Sequence, residues 1–306
     1  MFRSIFIALS ESRMLRNIAE RSRIGRRLSS RFVAGMTVDD ALAATTAVNN
    51  LGMSVSVDNL GENVTNAAEA QHSAALYHEM LDRITERKLD ANVSLKLTHM
   101  GLDVDEKLAR EIVSDLVAHA ARLQDFVRID MEGSPYTEKT LQVVRELHRR
   151  DGHAGRVGAV IQSYLYRSED DVRQLCEERI RIRLCKGAYK EPPEIAFRKK
   201  EDVDANFVKL MKILLKSGTY HGIATHDPKM IDATIAFAHS EKIRPDVFEF
   251  QMLYGVRRDL QQQLVRDGWR MRVYIPFGTE WYPYLMRRLA ERPANALFIL
   301  KNLFRR

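Results

Sequence analysis

From residue 54 onward, short apolar or β-branched runs alternate with longer amphipathic stretches, the pattern of strands alternating with helices. Eight runs have the character of strands, at 54–57, 92–97, 126–131, 158–163, 180–185, 222–225, 247–253 and 271–275. Between them, 65–88, 104–123, 137–150, 169–178, 203–216, 228–241 and 256–266 carry apolar positions at helical spacing, which predicts helices with one buried face. A helical lead-in over 1–50, including 39–50, comes first, and a further helical stretch begins near Tyr282. Eight strands with intervening helices predict an α/β fold, a parallel (βα)8 barrel of TIM type with N-terminal helices and a C-terminal helix over its mouth.

Composition narrows the picture without choosing a function. The 306 residues fit one barrel domain spanning 1–306, and no Pro/Gly/Ser-rich linker or low-complexity tract divides them. An apolar content of 45%, with no long unbroken apolar segment, predicts a soluble protein. The net charge of +7 is modest for this length and selects neither nucleic acid, membrane nor acidic ligand. Cys176 and Cys185 have no ligand-like spacing, so neither a disulfide framework nor a metal site is expected, and a reducing, cytoplasmic setting fits. Residues 1–31 are rich in Arg and Ser, but Glu11, Glu20 and helically spaced apolar residues favour a folded helix over a transit peptide.

Barrel active sites form at the C-terminal ends of the strands. There the sequence places Asp58, Lys96, His99, Asp130, Glu132, Gln162, Arg183, Lys186, Thr225, His226, Asp227, Glu249, Gln251 and Tyr274. So many polar groups need a ligand or one another to offset their desolvation. Patterns for zinc proteases, calcium loops, serine-nucleophile elbows, dinucleotide folds and P-loops are absent. Lys96 or Lys186 as a Schiff-base nucleophile stays open on mechanism alone. His72, His78, His119 and His148 fall on predicted helices and are expected to be solvated. Beyond the last strand, Tyr284 and Arg288 share a helix face with Arg287 beside them. That pair suits a small carboxylate held by bidentate donors, or is a solvated basic face.

The segment Tyr284-Leu-Met-Arg-Arg-Leu-Ala-Glu291, with Asn295 beyond it, resembles the signature of the proline dehydrogenase family. Four further segments agree in order: Ser94-Leu-Lys-Leu-Thr98, Arg128-Ile-Asp-Met-Glu132, Arg183-Leu-Cys-Lys-Gly-Ala-Tyr189 and Ala224-Thr-His226. Arg31-Phe-Val-Ala-Gly35 is similar to the opening of short bacterial members. The resemblance implies a distorted (βα)8 barrel that binds FAD noncovalently and oxidises L-proline to Δ1-pyrroline-5-carboxylate by hydride transfer to flavin N5. Carried over by position, Lys96, Arg287 and Arg288 bind the proline carboxylate, Asp130 orients the cationic cluster, and Tyr274 and Tyr284 wall the ring. Arg183 sits near flavin N5, where a positive donor favours reduced flavin. Gln162 bonds the isoalloxazine, while Met131, Lys186, Gly187, Ala188, Thr225 and His226 complete the FAD site.

The same resemblance implies that electrons pass to a quinone, so that the basic N-terminal helix visits the inner face of the bacterial membrane. A separate pyrroline-5-carboxylate dehydrogenase then takes the product. Two positions depart from the family. Cys185 stands where valine is more usual and is expected to pack, and Lys190 replaces an aromatic residue found in some members. Rival readings are a colourless Schiff-base lyase and a basic nucleic-acid scaffold, the latter without a binding motif.

Overall fold

A computed structural model describes Ser22 and residues 29–291, with side chains through Met286. Eight parallel strands close into a barrel in sequence order: β1 (Ser54–Asn59), β2 (Ala91–Leu95), β3 (Val127–Ile129), β4 (Val157–Gln162), β5 (Arg181–Cys185), β6 (His221–Ala224), β7 (Phe248–Leu253) and β8 (Met271–Phe277). The ring is sealed where Ser54 through Asn59 pair with Arg272 through Phe277. Helix α1 (Val38–Asn49) leads in, and α2 (Ala67–Glu86), α3 (Glu106–Arg122), α4 (Ser134–His148), α5 (Ser168–Glu177), α6 (Lys200–Lys216), α7 (Pro228–Ser240) and α8 (Arg258–Arg266) follow successive strands. Every strand and helix expected from residue 39 onward is present, because the hydropathy period there follows the buried faces of the barrel. The run at 126–131 contributes the shortest strand, although Asp130 N still donates to Leu95 O at 2.8 Å beyond its end.

Local chemistry starts the helices where the pattern places them. Thr37 and Asp40 form a reciprocal capping box on α1, Asp105 accepts from two backbone N–H groups of α3, and Asp227 caps α7 ahead of Pro228. Their apolar stripes cover the outward side chains of the barrel, among them Val55, Val57, Val93, Leu95, Val127 and Ile129, all fully buried. That outer shell is the main hydrophobic core.

The inside of the barrel is polar instead of filled with branched apolar layers. Arg272 donates to Val55 O, Asn92 Oδ1 and Glu249 Oε1 at 2.6, 3.0 and 2.7 Å. Arg128 donates through Nη1 to two carbonyl oxygens, those of Ala159 and Arg181, at 2.9 and 2.7 Å. Glu249, one of the strand polars singled out above, is structural: it also accepts from Tyr220 and Gln251 at 2.9 and 2.6 Å. Gly222 leaves the room that the Gln251 amide occupies, since a Cβ there would meet Gln251 Nε2. The buried charges of Arg272 and Glu249 survive because each meets the other and several further partners.

Helix α9 (Trp281–Glu291) lies beyond β8, where Trp281, Tyr282, Tyr284, Leu285 and Met286 cluster with Val33 and Leu60. The incoming segment ties to the same end of the barrel, with Ala34 N donating to Pro276 O and Gly278 N to Gly35 O, both at 2.9 Å. Residues 1–28 other than Ser22, and with them most of the expected N-terminal helix, lie outside the described residues. One expectation is corrected. His72 is exposed, but His78, His119 and His148 are half-buried. His78 and His119 meet across α2 and α3 with Nδ1 atoms 2.7 Å apart, and their Nε2 atoms lie 3.2 and 2.8 Å from Asp115 and Asp82. Helical period marks a side chain as off the core face, but not which neighbouring helix covers it.

Candidate active site

The C-terminal strand ends open into a cavity of about 410 Å³, a size typical of small-ligand sites. Its organising group is Arg183 on β5, 6% exposed. Nε donates to Gln251 Oε1 at 2.7 Å, Nη1 to Asp130 Oδ1 at 2.7 Å and Ser94 Oγ at 3.1 Å, and Nη2 to Ser56 Oγ at 3.0 Å. One guanidinium thus joins side chains of β1, β2 and β7 to Asp130 just beyond the end of β3, so the barrel framework sets its position. Asp130 is equally committed, accepting also from Ser94 Oγ at 2.8 Å and Tyr274 OH at 3.1 Å. The Tyr274 ring lies 5.0 Å from the Arg183 guanidinium carbon. Burial and the charges of Asp130 and Asp58 push the Tyr274 phenol well above its usual range, so it remains a donor.

Lys96 follows β2 and lies 3.3 Å from Asp58 Oδ2 at the end of β1. Burial works against the Lys96 charge, but Asp58, Glu62 and Asp130 outweigh it and hold the ammonium more firmly than usual. A Schiff-base lysine needs the opposite shift. Lys186 is likewise engaged, by Asp227 at 2.7 Å and by Asp204, so neither lysine is prepared as a nucleophile. Asp58 is 1% exposed, and burial together with the nearby Asp130 charge raises its proton affinity despite the opposing pull of Lys96.

The remaining expected residues arrive at the same cavity. Met131 follows β3, and Gln162 closes β4 with its amide donating to Glu132 O at 2.9 Å. Gly187 and Ala188 line the cavity on the loop after β5, and Gly187 adopts φ +102 with the Tyr164 ring where a side chain would stand. That crowding adds a steric reason for glycine to the conformational one. After β6, Thr225 Oγ1 accepts from Asp227 N at 3.1 Å, and His226 Nε2 accepts from Leu253 N at 2.9 Å. An Nε2 that accepts places the ring proton of neutral His226 on Nδ1.

Tyr284 of α9 completes the set. Lys96, Asp130, Met131, Gln162, Arg183, Lys186, Gly187, Ala188, Thr225, His226, Tyr274 and Tyr284 therefore share one cavity. The backbones of Arg287 and Arg288 belong to α9, but their side chains lie outside the described ones. Cys185 packs against the core and also touches the cavity, whereas Lys190 is exposed and does not line it.

The structure adds lining residues not assigned a role from sequence: Asp58, Phe32, Leu253, Tyr254, Val256 and Leu285. Asp58 and Leu253 stand at strand ends, where position alone flags them. Phe32 belongs to the segment similar to the family's opening, but nothing local to it marks a place at the mouth, which it reaches from ahead of the barrel. Glu132 lies just behind the wall, its carboxyl pushed up to about 7 by burial despite bonds from Thr98.

The profile of the family described as Proline dehydrogenase matches residues 41–301. The chain is 39% identical to "Proline dehydrogenase 1" of Bacillus subtilis subsp. natto over the whole of both chains. It is also 39% identical to "Proline dehydrogenase" of Deinococcus radiodurans, over 91% of this chain and 90% of that one. A crystal structure of proline utilization A (PutA) from Bdellovibrio bacteriovorus, inactivated by N-propargylglycine, superposes with a TM-score of 0.84 at 26% identity. That match covers 98% of this chain and 37% of the larger one. With the barrel, the cavity and full-length similarity in agreement, the chain belongs to the proline dehydrogenase family, oxidoreductases that carry out the first step of proline catabolism.

Proposed function

We propose that this enzyme oxidises L-proline to Δ1-pyrroline-5-carboxylate with FAD as its bound oxidant, and that a quinone then takes the electrons. The observation that carries this reading is the meeting of Lys96, Asp130, Arg183, Tyr274 and Tyr284 with the Gly187–Ala188 loop around one cavity. A flavin suits these residues. Arg183 is a buried cation fixed by four hydrogen bonds, beside a loop whose Gly187 takes a positive φ that favours glycine and a wall of Met131, Thr225 and His226. When bound, the flavin supplies the hydride acceptor.

The chain's own residues do the rest. Lys96, with Arg287 and Arg288, binds the substrate carboxylate, and Tyr274 and Tyr284 confine the ring, which replaces a search in solution by one orientation. Asp130 holds Arg183 and Tyr274 in place. Arg183 is assigned to the N5 side of the flavin, where its charge favours the reduced form. Gln162, Lys186, Gly187, Ala188, Thr225, His226 and Met131 are assigned to the cofactor. Among the described residues no helix is long and apolar enough to cross a membrane. We assign contact with the cytoplasmic membrane face to the basic N-terminal segment, and consumption of the product to a separate pyrroline-5-carboxylate dehydrogenase.

The deciding measurement is the visible spectrum of the purified protein. A flavin band that L-proline bleaches without oxygen is expected. A colourless protein that borohydride traps with its substrate at Lys96 or Lys186 would establish the Schiff-base alternative instead.

A further inference from the structure

Proline in neutral solution is a zwitterion, and its nitrogen cannot help expel a hydride from C5 until the ammonium has lost a proton. A positioned base for that proton is worth about 10²–10⁴ in rate. Four carboxylates line the cavity: Asp58, Glu62, Asp130 and Asp227. Asp130 is spent on Arg183, Ser94 and Tyr274, and Asp227 on Lys186. Glu62 stands on the loop beyond β1, half-buried, while Asp58 is sealed in the wall beside the cation assigned to the substrate carboxylate.

The arrangement of that pair matters more than its burial. Lys96 Nζ and Asp58 Oδ2, 3.3 Å apart, present a positive and a negative group side by side on one wall. A cyclic imino acid carries a carboxylate and an ammonium on adjacent atoms. Laid antiparallel against the wall, the two dipoles complete each other, with the carboxylate at Lys96 and the ammonium at Asp58.

We propose that Asp58 is the anionic half of a zwitterion clamp and the acceptor of the substrate's ammonium proton. This assignment rests on the function proposed above. One N–H bond breaks and its proton passes to an Asp58 oxygen. The freed nitrogen pair then forms the C5=N bond as the C5–H bond breaks, and that bond's electron pair leaves as hydride for the oxidant. The product departs as an iminium, which gives its remaining N–H proton to solvent, and Asp58 returns its own proton the same way. Asp58 is faced by Lys96 from the end of β2, Asp130 from the end of β3, Tyr274 from β8 and Tyr77 from α2, whose hydroxyl lies 3.3 Å from Oδ1. Burial and Asp130 raise its affinity for a proton, as an acceptor requires.

The test uses the full, flavin-loaded chain, with Asp58→Asn and rapid anaerobic mixing. Flavin reduction by saturating proline at neutral pH should slow by about 10²–10⁴, and the residual rate should keep rising with pH as free amine replaces ammonium. Cyclopentanecarboxylate, which keeps the carboxylate and lacks the amine, should bind the variant within a few-fold of wild type. If saturated reduction is unchanged while cyclopentanecarboxylate and proline weaken together, Asp58 only positions Lys96 and the proposal is overturned. Wild type gives a second test that needs no folded variant: proline should outbind cyclopentanecarboxylate at least ~10-fold, a difference of about 1.4 kcal/mol, and equal affinities would overturn the clamp. Wild type that proline fails to bleach would instead refute the flavin function itself, so the two failures are distinguishable.

Discussion

Asp130→Ala removes the carboxylate on which Arg183 Nη1, Ser94 Oγ and Tyr274 OH converge at 2.7, 2.8 and 3.1 Å. Arg183, 6% exposed, is then left hydrogen-bonded to the neutral groups Gln251, Ser94 and Ser56, none of which supplies a counter-charge. Breaking such a pair from one side costs about 3–5 kcal/mol, since a buried charge is left without its counter-charge. For a chain of this order each kcal/mol moves the melting temperature by about 2–4 °C, so a fall of roughly 6–20 °C is expected. Part of that loss should return in Asp130→Ala/Arg183→Met, because the second substitution removes the orphaned charge. Urea unfolding of wild type, both single variants and the double variant should yield a coupling of about 1–3 kcal/mol. Single effects that add to within ~0.5 kcal/mol would show the two side chains to be independent and would refute the account of Arg183 as the hub of the barrel interior.

Glu249→Gln should destabilise the protein by about 3–5 kcal/mol at neutral pH by leaving Arg272 without its counter-charge. Burial lifts the Glu249 carboxyl, but the Arg272 charge and the bonds from Arg272, Gln251 and Tyr220 outweigh it and hold it below the usual carboxylate range. Its contribution is therefore complete above the unfolded value and is lost as pH falls through the lower folded one, so urea curves of wild type and variant should converge on acidification. Gly187→Ala places a methyl group against the Tyr164 ring at φ +102. About 1–3 kcal/mol of strain should follow, read as flavin lost on dialysis at a rate wild type does not show. Arg288→Met should raise KM for proline by one to two orders of magnitude, as expected for about 1.5–3 kcal/mol of lost carboxylate binding. Normal flavin content with unchanged KM would remove Arg288 from the substrate site.

Much of the candidate site is legible in the sequence. Asp58, Lys96, Asp130, Arg183, Gln251 and Tyr274 were legible because a parallel barrel delivers every strand end to one face, so locating the strands locates the candidates. What remained hidden was how the candidates divide their work. Glu249 and Gln251 sit two residues apart on β7, yet Glu249 answers Arg272 on the adjacent strand β8 while Gln251 reaches back over β6 to Arg183 on β5. Nothing within β7 distinguishes those fates, which depend on strands contributed from elsewhere in the chain. Phe32 and the His78–His119 pair were unreadable for a related reason: each is defined by a neighbour remote in sequence.

Hydrophobic period, caps and strand-end polarity are local properties, written within a few residues of where they act, and they determined the order of elements, the barrel and the face that carries the site. Partnership is not local. Which carboxylate meets which cation, which tyrosine stays a donor and which acid is left beside Lys96 to hold a proton depend on ångström separations across a closed ring. Electrostatic energies vary steeply at that range, and only the tertiary structure sets the distances.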